Sequence, residues 1–278
     1  MRRRVVALAA LALALAGPAA SSDGGPSPGA VYGGEGVVAA NGGIRWVALT
    51  AGSWTIVEAV EVDGGRILGS QTVRGAYGIP LVAYDGTTGG LSADGSTLVL
   101  SPFAAPPSPG SVSRFVVFGT DRFRVRRVIA LRGTYSFDAI SPRGSTIYLI
   151  QYTSTQNWNR YRVRAYDVGS GRLLPGAIVD RREPGEKMQG APVTRVSTRD
   201  GGWAYTLYAR GGATAFVHAL DTRHRSAFCI DLPWRGTQQS LNGIHMRVGH
   251  GRLVLSDYAG PLAAVDTKTL RVTAFRAP

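Results

Sequence analysis

The chain has 278 residues, 44% of them hydrophobic, and a mean hydropathy close to zero. That supplies apolar material for a large core and excludes both a disordered polypeptide and a bundle of membrane-spanning helices. The formal charge is +13, with Lys187 and Lys268 the only lysines among 31 basic residues. No helix-turn-helix, zinc-finger or RNA-binding signature accompanies it, so nucleic acid is not an expected partner, whereas anionic envelope polymers or lipid head groups suit a basic exported protein.

The chain opens with "MRRRVVALAALALALAGPAASS", three arginines followed by a short apolar run and small residues. This is the layout of a secretory signal peptide over residues 1–22, and it predicts an extracellular, cell-wall or periplasmic protein with no transmembrane span in the mature chain. Residues 23–35 are rich in Gly, Pro and Ser and read as a flexible leader, part of which is available to close a ring by joining the last repeat. The rest, 36–278, reads as one domain.

Five segments of that domain share the pattern apolar strand, glycine turn, apolar strand. They are "GVVAANGGIRWVALT", "GGLSADGSTLVLSPF", "DAISPRGSTIYLIQY", "TRVSTRDGGWAYTLY" and "HMRVGHGRLVLSDY". Their anchors Gly43, Gly95, Gly144, Gly202 and Gly251 stand 52, 49, 58 and 49 residues apart, and each is placed where a tight hairpin needs a positive φ. A second hairpin follows each first one, with Asp63, Asp167, Asp221 and Asp266 opening four of its turns; their side chains suit the following backbone N–H groups. Two hairpins per unit give four strands, and a four-stranded unit repeating near fifty residues is a propeller blade. The reading is all-β, a β-propeller of five four-stranded blades at about 36–75, 89–131, 137–180, 193–233 and 244–278. Six blades or an incomplete propeller are the alternatives.

The unit "ISPRGSTIYLI…YRVRAYDVGSGRLL" resembles the repeat of WD-type, TolB-like and YVTN-type propellers, in which a "SPDG" turn precedes the second strand. Arg143 replaces the aspartate of that turn in the third unit, whereas "SADGSTL" and "STRDGGW" keep it. "FDAISP", "VRAYD", "PVTR", "WAYTLY" and "FVHALDT…CIDLPW" are similar to secreted propeller proteins of actinobacterial type. This resemblance implies a fold and carries no activity with it.

Candidate site residues follow from the repeat. Equivalent starts of the innermost strands put Val37, Gly89, Asp138, Thr194 and His245 at one level around the axis, which makes Asp138 and His245 the polar candidates. A buried Asp138 needs a partner, supplied by channel water, a ligand or a neighbouring blade. The long loop "QYTSTQNWNRYR" offers Trp158 and Arg160 for stacking and hydrogen bonding, and "GAYGIPLVAYDGTTG" adds Tyr84 and Asp85. The arginines of "RFRVRRVIALR" lie on an outer hairpin, where charge protects an edge strand. Cys229 alternates with apolar neighbours and reads as a buried, inert thiol.

No HExxH, nucleophile elbow, phosphate loop or calcium loop occurs, so no metal or cofactor is expected. The leading functional expectation is a secreted or envelope-associated binding module without enzymatic activity, its partner an unknown protein or a cell-envelope polymer. One alternative is an extracellular polysaccharide hydrolase or lyase using Asp138 and His245 as acid and base. The other is a structural assembly module of the envelope.

Overall fold

The computed structural model describes residues 30, 31, 33–103, 108–158, 160–185 and 188–278. The segment read as a signal peptide, and residues 23–29 and 32 of the leader, lie outside the described residues. In chain order, β1 (Ala30–Val31) precedes a first sheet of β2 (Gly33–Val38), β3 (Ile44–Ala51), β4 (Trp54–Glu61) and β5 (Ile67–Arg74), and β6 (Ile79–Pro80) follows. A second sheet holds β7 (Thr97–Leu100), β8 (Val112–Gly119) and β9 (Arg124–Arg132). The third has β10 (Tyr135–Ile140), β11 (Thr146–Tyr152), β12 (Tyr161–Asp167) and β13 (Arg172–Leu173). The fourth has β14 (Ala191–Ser197), β15 (Trp203–Ala209), β16 (Thr214–Asp221) and β17 (Ser226–Arg235). After the single helical turn α1 (Gln238–Leu241), the fifth comprises β18 (His245–Gly249), β19 (Arg252–Asp257), β20 (Gly260–Asp266) and β21 (Val272–Ala274).

Each sheet is an antiparallel meander whose strands pair in sequence order. This is the up-and-down order of a propeller blade, and the fold is all-β with five blades. The second blade departs from the expected four strands. Its innermost position is reduced to a bridge between Leu91 and Leu98, because Gly90 adopts φ +96° and breaks the extended run. The leader also differs from expectation: residues 30, 31 and 33–35 are in strands. Ala30 and Val31 pair with Pro80 and Ile79, between the first two blades, so these residues do not complete the last blade.

The cores lie between blades. Trp46, Ala48 and Val57 of blade one meet Leu98, Leu100, Val116 and Phe118 of blade two, and Phe115 and Val117 of blade two meet Phe137, Ile147 and Leu149 of blade three. Blades four and five share the largest cluster, in which Tyr205, Leu207 and Val217 pack with Leu253, Leu255 and Val265. Alternation along each strand sends successive side chains to opposite faces, so one strand serves two interfaces. Between blades three and four the packing is partly polar: the buried Tyr148 hydroxyl donates to the Thr222 carbonyl at 2.9 Å.

Candidate functional site

Strand β10 carries a bulge. Phe137 faces Leu149 and Ala139 faces Tyr148, leaving Asp138 as the extra residue. A bulge redirects the side chain it releases. Here Asp138 is bound from blade four by Arg195 of β14, which donates through Nη1 to the Asp138 carbonyl and through Nη2 to its Oδ1. The Nε of Arg195 donates to Thr206 Oγ1 at 2.7 Å. Both ionic side chains are removed from water, at 5% and 1% exposure for Arg195 and Asp138. Asp138 Oδ2 is also buried and has no hydrogen-bond partner within the protein.

This pair forms part of the wall of a cavity of about 420 Å³ at the end of the innermost strands. Blade one contributes Val37 and Val38, blade three contributes Phe137 to Ile140, and blade four contributes Arg195 to Arg199. The segment following β6 folds inward and supplies Thr87 to Ala93. It is anchored on β14, where the Tyr84 and Asp85 N–H groups donate to the carbonyls of Pro192 and Val193 at 2.9 and 3.1 Å. The lining therefore combines apolar Val37, Val82 and Leu91 with the hydroxyls of Thr87, Thr88, Ser92 and Ser197 and the exposed cation Arg199.

Of the six residues singled out from the sequence, only Asp138 lines this cavity. Val37 and Gly89 share it, whereas Thr194 and His245 do not. His245 begins β18 opposite Ser256 and is exposed, so the cavity does not bring Asp138 and His245 together as an acid–base pair. Asp85 Oδ1 is engaged by the Thr87 N–H and hydroxyl at 2.9 and 2.6 Å, a turn contact. Tyr84 is 38% exposed. Trp158 is half-buried against a cluster that includes Tyr152 and Tyr161, its ring 6.3 Å from that of Tyr152. Arg160 is exposed, and its main chain closes the loop on Asn157 and Thr153.

Arg195 is the residue that the sequence reading missed. Its signal was present: an arginine set in the buried run "APVTRVS" must find a counter-charge. Further along the same interface, burial pushes the His218 imidazole down to about 4 against the opposing influence of Asp138, so the ring is neutral near neutrality. Among the described residues, no group of three His, Cys, Asp or Glu side chains is disposed to hold a metal ion. No described helix is long and apolar enough to cross a membrane.

No protein-family model matches the chain, and no curated protein matches it in sequence. Solved structures align with it in fold. A protein of unknown function from Desulfotomaculum acetoxidans aligns at 10% identity and TM-score 0.50 over 86% of this chain and 68% of its own. TolB from Acinetobacter baumannii aligns at 10% identity and TM-score 0.44 over 84% of this chain, which spans 52% of the TolB length. The propeller domain of Cps50 (Swd1) from Myceliophteria thermophila gives 10% identity and TM-score 0.46, covering 84% and 64% of the two chains. Such identities speak to architecture and not to ligands. With sheet order and strand count, and the likeness to the Desulfotomaculum acetoxidans structure beside them, the chain is a β-propeller.

Proposed function

We propose that this is an exported, envelope-associated propeller that acts as a binding module, taking a hydroxyl-rich or anionic ligand into the cavity at the end of its innermost strands. The observation that carries the reading is the composition of that cavity. Strands from three blades and one inward-folded segment converge on hydroxyls backed by apolar walls, with Arg199 on the lining. Few polar groups on an apolar surface give a pocket orientation and selectivity. The overall positive charge favours the approach of anionic polymers. Export rests on the apolar, arginine-led start of the sequence.

The test is thermal unfolding of the purified protein against acidic glycans, neutral glycans, teichoic-type polyanions and acidic peptides. A ligand at about a hundred times its Kd stabilises by roughly 2.7 kcal/mol, which raises Tm by about 5 to 10 °C. The proposal expects a shift that Arg199→Ala with Thr87→Val abolishes and Trp158→Ala with Arg160→Ala leaves in place. A shift abolished only by the second pair would move the site to the loop of Trp158. No shift with any ligand would favour an assembly role.

A further inference from the structure

The cross-strand register of blade four sets Arg195, Thr206, His218 and Cys229 in one row, each paired with the next across β14, β15, β16 and β17. The row runs outward from the cavity, between blades three and four. At its outer end, Cys229 Sγ lies 3.9 Å from His218 Nδ1 and 3.9 Å from Met188 Sδ. His218, Met188 and Cys229 are 1%, 8% and 9% exposed. The chain has one cysteine and three methionines, so one of those methionines and the sole thiol meet a buried imidazole.

Donors bound at about 2.0 to 2.3 Å and splayed around a single ion stand roughly 3.3 to 4 Å apart. The Sγ–Nδ1 and Sγ–Sδ separations fall in that range. We propose that His218 Nδ1, Cys229 Sγ and Met188 Sδ form a site for a soft monovalent cation, Cu(I) above all. A thiolate, a thioether and an imidazole are the donor set that selects this ion over harder divalent ones. Binding exchanges the thiol proton, which leaves to solvent, for a copper–sulfur bond. Neither metal nor sulfur changes oxidation state.

Two features support a built site. The Cys229 backbone is fixed on both sides: its N–H donates to Asp180 Oδ2 at 2.6 Å, and its carbonyl accepts from Arg182 Nη2. A donor held by its own backbone contacts needs little reorganisation on binding. Second, His218 Nε2 is buried with no partner. Coordination through Nδ1 makes Nε2 the N–H tautomer, for which a ligating histidine ordinarily finds a carboxylate or water. Asp138 of the facing blade acts on this imidazole electrostatically across the same interface.

The experiment is anaerobic Cu(I) titration of the whole protein in competition with bicinchoninate, monitored by retained copper and by the thiolate-to-copper charge-transfer absorbance. The proposal expects one Cu(I) per chain, with affinity lowered at least about a hundredfold in Cys229→Ser and about tenfold in Met188→Leu. Met188→Leu preserves volume and serves where Cys229→Ser does not fold. Equal affinity in the wild type and both variants would overturn the site and leave a thiol and thioether packed as apolar filler. Equally tight Zn(II) binding that is indifferent to Met188→Leu would overturn its soft character.

Discussion

At the scale of single residues, the Asp138–Arg195 pair is the most consequential arrangement. Both charges are dehydrated, and removing one partner from such a pair costs about 3 to 5 kcal/mol because the survivor is left unpaired. For a domain of this size that is a fall of roughly 10 °C in Tm. Arg195→Met should show this loss by thermal unfolding, and the double replacement Asp138→Leu with Arg195→Met should recover much of it. Equal losses in the single and double variants would mean that the pair is not the source. Asp200, in the "STRDGG" turn, presents the opposite case. Bonds from Thr198, the Gly202 N–H and Arg223 hold its carboxyl down to about 2. A depressed carboxyl contributes above its unfolded value near 3.9 and loses that contribution as pH falls through about 2. Asp200 is 64% exposed, so solvent screening keeps the effect below about 1 kcal/mol. Asp200→Asn should therefore lower stability modestly at pH 6 and not at pH 2, as measured by urea unfolding at both values.

At the scale of the element, the first hairpin turn shows what the sequence made legible. Gly95, Gly144 and Gly251 have φ of +71°, +70° and +74°, as their positions in the repeat require. In the first and fourth units, however, the positive φ falls on Gly42 and Gly201, one residue before the expected Gly43 and Gly202. Asn41 and Asp200 explain the displacement, since each side chain accepts from the N–H of the second glycine and leaves the first at the left-handed position. Asp167, Asp221 and Asp266 use the same chemistry in the second hairpins, which is why their spacing revealed strands and not a site. The cavity was less legible, because it depends on a bulge at Asp138 and on an inward fold of residues 81–93. A one-residue bulge within a buried apolar strand and a segment without regular strands leave no periodic signal to read. Turns that look alike in sequence also differ in what surrounds them. A Cβ at Gly144 would lie 2.4 Å from Thr97 Cβ of blade two, whereas one at Gly251 would meet nothing within 4 Å. Gly251→Ala should cost only the left-handed penalty of about 1 to 2 kcal/mol. Gly144→Ala should cost about twice that, because a rigid β-branched neighbour on another blade must also yield. Denaturant midpoints for the two variants would decide it, and equal losses would exclude the interblade contact as a determinant.

At the scale of the whole molecule, the chain is a series of nearest-neighbour interfaces. Buried clusters join blades one to two, two to three, three to four and four to five. Among the described residues, no buried apolar cluster contains residues of both blade five and blade one. In such an array, stability is approximately a sum of unit and neighbour terms, and a terminal unit with one strong neighbour opens at lower free energy than an internal unit with two. Blade five depends on the cluster containing Leu253, Leu255 and Val265, all fully buried. Leu255→Ala removes apolar volume from that contact and should cost about 2 to 5 kcal/mol. The loss should also be localised. Amide hydrogen exchange should accelerate in β18 to β20 well before β10 and β11 of blade three, which packs against both neighbours. The matching substitution Leu149→Ala, in the cluster between blades two and three, should instead accelerate exchange throughout the central blades, because the blade it loosens has a packed neighbour on each side. If Leu255→Ala raised exchange uniformly across all five blades, the propeller would unfold as one cooperative ring, and the coupling between its first and last blades would have to be as strong as that within the series.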